Sequence, residues 1–175
     1  MEYTITELVS KEMIQQRVSE LANEISADFA SKKSVLPPVF ICILNGSIHF
    51  FSDLVRSLDI DSQIDFIRLK SYEGQDNTGG VKVLKELELD LKGRHVYLVD
   101  DIIDSGETIR EALYMILSRI PNSVDVVTLF QREGGSFSDF NGFVIQDQWI
   151  YGYGLDDNGL FRNISNIVYK DFKKD

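Results

Sequence analysis

The sequence predicts an α/β fold, a central and mainly parallel sheet flanked by helices. Segments with helical spacing alternate with apolar, β-branched runs, the order that builds βαβ units. The run at Val39–Leu44 is apolar throughout, as strands covered on both faces are, and residues 124–130 read as a further buried strand. At two places a run passes through a short polar turn into a helix start, and in open α/β sheets such junctions face the ligand crevice.

Taken in order, residues 10–29 place Met13, Ile14, Val18, Leu21, Ile25 and Phe29 at helical spacing, with Ser10 as N-cap. Pro37 and Pro38 lead into the strand Val39–Leu44. Asn45-Gly46-Ser47 then turns the chain, and Ser47 is placed to cap a second helix with Ile48, Phe51, Leu54, Val55 and Leu58 inward. Residues 64–69 and 81–89 read as strands. The polar, glycine-rich insert between them, residues 70–80, is long for a hairpin and fits a functional lid or disorder. Residues 96–99, ending in the acids Asp100 and Asp101, read as the next strand. The helix after it carries Ile109, Leu113, Ile116, Leu117 and Ile120, and Pro121 stops it. Residues 124–130 form a further buried strand. Beyond Gly142 only short apolar pieces remain, at residues 143–145 and 149–153, and the tail reads as an irregular appendage.

A length of 175 residues suits one domain with a real core. The net charge of −10 argues against broad binding to a nucleic-acid backbone, which needs Lys and Arg in excess. Cys42, the single cysteine, lies mid-run and reads as a buried structural thiol. No internal disulfide can form, no basic-then-apolar leader opens the chain, and no run approaches 18 apolar residues. A cytoplasmic protein without a membrane partner is expected.

The chain is organised around residues 96–108, Val-Tyr-Leu-Val-Asp-Asp-Ile-Ile-Asp-Ser-Gly-Glu-Thr. An apolar strand ends in Asp100 and Asp101, and Asp104-Ser105-Gly106 leads into a helix whose free N–H groups favour anions. A phosphate and a polyol could be held here together. The same residues also fit a solvated strand end followed by a turn. No phosphate-binding G-x-x-x-x-G-K-[ST] loop accompanies the acids, and Gly152-Tyr153-Gly154 lacks the third glycine of a dinucleotide site. His49 and His95 read as structural, partly solvated side chains.

Residues 99–108 resemble the diphosphoribosyl-binding signature of type I phosphoribosyltransferases, and the Asp-Asp-Ile-Ile-Asp-Ser-Gly core is similar to that of the hypoxanthine-guanine branch. Four further segments resemble that branch in the same order. Leu44-Asn45-Gly46-Ser47 is similar to its pyrophosphate loop, and Leu69-Lys70-Ser71-Tyr72 to the start of its mobile lid. The strand end at Arg132 is similar to its purine-contacting segment, and Trp149 through Asp156 with Phe161-Arg162 to its purine and metal wall. The likeness spans residues 8–170.

It implies a type I phosphoribosyltransferase fold of one domain, 1–175. A core of about 35–135 would be hooded by the N-terminal segment and about 136–175. It also implies a magnesium-dependent transfer of the 5-phosphoribosyl group from its 1-diphosphate to a 6-oxopurine, and a homodimer or homotetramer. Asp100 and Asp101 would hold the ribose hydroxyls, directly or through the metal, with Asp156 as the other metal-side acid, also beside the purine. Ile103, Asp104, Ser105, Gly106, Glu107 and Thr108 would wrap the 5-phosphate, and Asp104 would be the general base near purine N7. Leu44, Asn45, Gly46, Ser47 and Arg162 would hold pyrophosphate, and Ser71 and Tyr72 would close over the reacting centre. Arg132, Trp149 and Ile150 would bind the purine. A cis peptide is expected at Leu44-Asn45.

Three positions depart from the family pattern. Arg132 stands where a lysine commonly reaches the 6-oxo group, and a planar fork replaces a point charge. Trp149 stands for a stacking Phe or Tyr, and Asn45 for a basic residue. Rival readings are a xanthine- or uracil-preferring sister transferase, and a nucleotide-sensing regulator without activity that binds nucleic acid. The acidic balance and the intact acids stand against the regulator.

Overall fold

A computed structural model describes residues 3–72, 80–135 and 138–172. The chain runs β1 (Tyr3–Val9), α1 (Lys11–Ser31), β2 (Val39–Leu44), α2 (Ile48–Ser57), β3 (Gln63–Tyr72), β4 (Gly80–Lys85), β5 (His95–Ile103), α3 (Glu107–Leu117), β6 (Ser123–Arg132), β7 (Phe140–Ile145), β8 (Ile150–Tyr151) and β9 (Ile167–Phe172). Six strands form the main sheet in the order β4-β3-β2-β5-β6-β7. All neighbours in it are parallel except the β3–β4 pair.

The middle of the sheet, Val39–Ile43 with Val96–Val99, is apolar because both of its faces are covered. Phe40, Cys42, Tyr97 and Val99 pack with Ile14, Leu21, Phe50 and Leu54 of α1 and α2. The alternate residues Val39, Ile41, Ile43, Val96 and Leu98 pack with Ile109, Ala112 and Ile116 of α3. Cys42 is fully buried, and that burial pushes its thiol up to about 12, so it is inert at neutral pH. Ser10 caps α1, its hydroxyl accepting the Met13 N–H at 3.2 Å.

Several expectations are corrected. The tail is not irregular: β9 pairs antiparallel with β1 and β8 in a second, three-stranded sheet, and β7 extends the main one. The partners Tyr3 and Phe172 lie at opposite ends of the chain, so nothing local marks their pairing. Strand β4 ends at Lys85 and not at Leu89, because the buried Asp65 carboxylate accepts the N–H groups of Glu88 and Leu89 at 2.7 and 2.9 Å. Helix α3 ends at Leu117, and Ile120 adopts a left-handed backbone, leaving both side chains exposed. In α2 the inward face holds Phe50, while Ile48 is exposed. Met13 of α1 is exposed as well.

The topology locates the crevice. From β2 the chain steps to β3 on one side, and from β5 it steps to β6 on the other, so the order reverses between β2 and β5. Ligands in open α/β sheets bind at the carboxyl ends of the strands at such a switch point. Those two ends carry Leu44-Asn45-Gly46-Ser47 and residues 100–108.

Candidate active site

At the end of β2 the Leu44-Asn45 peptide is cis. Leu44 packs against the core and Asn45 is exposed. Ser47 occupies the N-cap position of α2, but its hydroxyl makes no cap bond; it donates to the Ile43 carbonyl and lies 3.2 Å from Cys42 Sγ. Ser47 therefore ties the turn back to its own strand. Gly46 has no room for a side chain: a Cβ there would fall 1.8 Å from Asp101 Oδ2.

At the end of β5, Asp100 is buried and its Oδ1 accepts the Asp101 N–H at 3.0 Å. Asp101 is half-buried, with Oδ1 accepting the Ile102 N–H at 2.8 Å. Desolvation, and next the charge of Asp101, hold the Asp100 carboxyl well above the usual carboxylate range. Asp101 is raised too, by desolvation first, with nearby Arg162 among the groups opposing the shift.

Gly106 turns with φ 76° into α3. Residues 102–109 with Asp100 enclose a cup of about 80 Å³. A single water needs only about 10–15 Å³ of such space, so the cup has room for a group of several heavy atoms, the size class of a phosphate. Ile103 is buried, so only its backbone can face a ligand, whereas Asp104, Ser105 and Glu107 are exposed and Thr108 is half-buried. The first N–H groups of α3 have no carbonyl partner within the helix, and that of Glu107 is donated to the Ser105 hydroxyl at 3.4 Å.

Arg132, at the end of β6, donates from Nε to Asp104 Oδ1 at 3.1 Å and from Nη1 to the Gln146 and Gln148 carbonyls at 2.7 and 3.2 Å. The structure thus joins it to Asp104 and to the segment before Trp149. Trp149 is 64% exposed, Ile150 is buried in β8, and Gln148 Oε1 is buried without a hydrogen-bond partner among the described residues. Asp156 pairs with Arg162 at 2.5 Å and accepts the Gly159 N–H at 2.7 Å, and Arg162 Nη1 donates to the Gly154 carbonyl at 2.6 Å. Gly154 presses on the β2 turn, since a Cβ there would lie 1.9 Å from the Gly46 carbonyl oxygen. Ser71 and Tyr72 are the last residues of β3, their backbones paired with Val81 and Gly80; residues 73–79 of the expected lid lie outside the described residues.

The family model of the phosphoribosyl transferase domain matches residues 4–158. The chain belongs to the phosphoribosyl transferase family. Among its relatives, the hypoxanthine-guanine-xanthine phosphoribosyltransferase of Tritrichomonas foetus is 36% identical over 91% of this chain and 88% of that protein. The hypoxanthine phosphoribosyltransferase of Buchnera aphidicola is 36% identical over 99% and 100%. A crystal structure of a hypoxanthine-guanine phosphoribosyltransferase from Bacillus anthracis superposes with a TM-score of 0.86 at 34% identity, covering 96% of this chain and 99% of that one.

Within this phosphoribosyltransferase, sequence reasoning missed Tyr153, Gly154 and Asp53. The Tyr153 hydroxyl donates to Asp53 Oδ2 at 2.6 Å, joining the smaller sheet to α2. The sequence presents Gly152-Tyr153-Gly154 as an incomplete dinucleotide pattern and as part of the segment similar to the purine and metal wall, but assigns none of the three a role of its own. It also missed Asp157, buried and paired with Lys170 of β9.

Proposed function

We propose that this phosphoribosyltransferase acts in purine salvage, transferring the 5-phosphoribosyl group from 5-phosphoribosyl 1-diphosphate to hypoxanthine, and to guanine, to give IMP or GMP and pyrophosphate. The carrying observation is the convergence at the β2/β5 switch point of the Gly46 turn, the paired acids Asp100 and Asp101, and the phosphate-sized cup at the start of α3. The names of relatives that align over nearly the whole chain support the same reaction.

In this reading the amides and hydroxyls of residues 103–108 hold the 5-phosphate, and Asp100 and Asp101 hold the ribose hydroxyls. The amides of Asn45, Gly46 and Ser47 and the guanidinium of Arg162 face pyrophosphate. Purine N9 forms its bond to C1 as the C1–oxygen bond to pyrophosphate breaks. Asp104 takes the proton leaving purine N7, a general-base role worth on the order of a hundredfold or more. Trp149 offers a stacking face, the Ile150 backbone reads the ring edge, and Arg132 meets the 6-oxo group. Ser71 and Tyr72 begin the segment that closes over the centre and keeps water from it.

Among the described residues no cluster of three or more His, Cys, Asp or Glu could cage a metal. Magnesium needs no such cage: it prefers oxygen ligands, keeps several waters and often takes one or two carboxylates with substrate phosphates. The acid pair fits it, with Asp100, Asp101 and Asp156 as the residues that would hold it. When bound it supplies positive charge for the departing pyrophosphate.

The proposal includes small molecules as the partners rather than nucleic acid, a homodimer or homotetramer, and the cytoplasm as compartment. Sedimentation and fractionation test the last two. Among the described residues no helix is long and apolar enough to cross a membrane. Chromatography of mixtures with magnesium, phosphoribosyl diphosphate and hypoxanthine, guanine, xanthine or uracil tests the reaction. Nucleotide from hypoxanthine supports it; product from uracil or xanthine alone makes the chain a sister transferase, and no product rejects it.

A further inference from the structure

Resting on the reading of Asn45-Gly46-Ser47 as the pyrophosphate loop, we propose that Gly152-Tyr153-Gly154 is a brace for that loop, with Tyr153, through Asp53, a positioning residue for the diphosphate. Three successive residues have positive φ: Gly152 at 106°, Tyr153 at 47° and Gly154 at 106°. Glycine adopts such angles freely, but an aromatic residue in the left-handed region persists only where its surroundings hold it there.

Those surroundings are specific. The Tyr153 N–H donates to the Ile164 carbonyl at 2.8 Å and the Gly154 N–H to the Arg162 carbonyl at 2.9 Å. A Cβ on Gly152 would fall 2.2 Å from the Asn166 carbonyl oxygen, so the first glycine is pressed against β9's approach. The turn thus delivers two contacts to one target. Gly154 lies against the Gly46 carbonyl, inside the loop itself. The Tyr153 hydroxyl donates to Asp53 at 2.6 Å, in the second turn of the helix that begins directly after the loop. Loop and helix are held from the same three residues, fixing the direction in which the loop's amides point. The Tyr153 ring is buried and meets the His49 ring at a tilt of 36°, with centroids 6.0 Å apart. Burial and the neighbouring Asp53 keep its hydroxyl protonated, so it remains a donor.

Tyr153→Phe keeps the ring and removes the bond to Asp53. Its expected effect is a rise of about tenfold in KM for phosphoribosyl diphosphate and in the inhibition constant of pyrophosphate, since hydrogen bonds to charged groups are the strong ones. KM for hypoxanthine and kcat stay within about twofold. Asp53→Ala gives the same pattern, the double variant is no worse than either single one, and Asp53→Asn, whose amide oxygen still accepts, stays near wild type. A folded Tyr153→Phe enzyme with unchanged diphosphate KM, or with both KM values raised alike, overturns the brace; a lowered melting temperature alone does the same. A wild-type protein that neither makes nucleotide nor binds pyrophosphate rejects the reading of the loop and the brace with it.

Discussion

Gly46→Ala tests the crevice at its tightest point. The added Cβ would fall 1.8 Å from Asp101 Oδ2 and 2.8 Å from its Cγ. The backbone at Gly46 is not in the left-handed region, so alanine is conformationally acceptable and the damage is steric. To reach ordinary van der Waals contact the carboxylate must recede by about 1.5 Å, breaking its bond from the Ile102 N–H, or the β2 turn must move away from Gly154. Displacements of about 1 Å at a reacting centre cost on the order of a hundredfold, so kcat/KM for phosphoribosyl diphosphate should fall by about that factor, roughly 2.7 kcal/mol. Overpacking adds a stability loss of about 1–3 kcal/mol, and a thermal melt tells whether the variant is folded at the assay temperature. Steady-state rates with the diphosphate varied at saturating hypoxanthine supply the measurement. A folded variant with wild-type kcat/KM would refute the placing of Gly46 and Asp101 on the substrate.

Other sites give separate tests. Asp104→Asn should lose about a hundredfold or more in kcat while keeping diphosphate KM, and unchanged turnover would remove its role as base. Trp149→Ala should raise KM for the purine by about tenfold through lost stacking, with little effect on the diphosphate. Trp149 is the single tryptophan, so its fluorescence should change on IMP binding; a silent titration at saturating IMP counts against the wall. Asp65 is buried, and although burial raises its carboxyl, backbone N–H groups of Leu89, Phe66 and Glu88 and the charge of Lys85 bring it below its ordinary value. A lowered folded value means the contribution is complete above the unfolded value near 3.8 and fades as pH falls through the folded one. Asp65→Asn should therefore be less stable by about 2 kcal/mol at pH 7, with the gap closing below about pH 4. A gap that is constant from pH 7 to pH 3 in urea melts would contradict this.

The sheet and its crevice were legible because their causes are local. Strand β2 and residues 96–99 of β5 read as unbroken apolar runs, since both faces meet helices, and Asp100 through Thr108 carries its strand, turn and helix start in contiguous residues. What lay hidden depends on contacts between distant residues. Tyr3 and Ile5 of β1 are exposed at the edge of the small sheet and give little hydrophobic signal, so their pairing with β9 was not foreseen. The strand end at Arg132 could be located, but not the bonds joining its guanidinium to Asp104 and to two carbonyls ahead of Trp149. Gly154 shows the same limit, since its need to be glycine comes from Gly46, over a hundred residues earlier.

The stoichiometry of the reaction tests the central claim most directly. With magnesium, hypoxanthine and phosphoribosyl diphosphate all present, IMP and pyrophosphate should appear one for one, and neither should form when either substrate is left out. Pyrophosphate released without IMP, or no IMP at any concentration of the two substrates, would contradict the account.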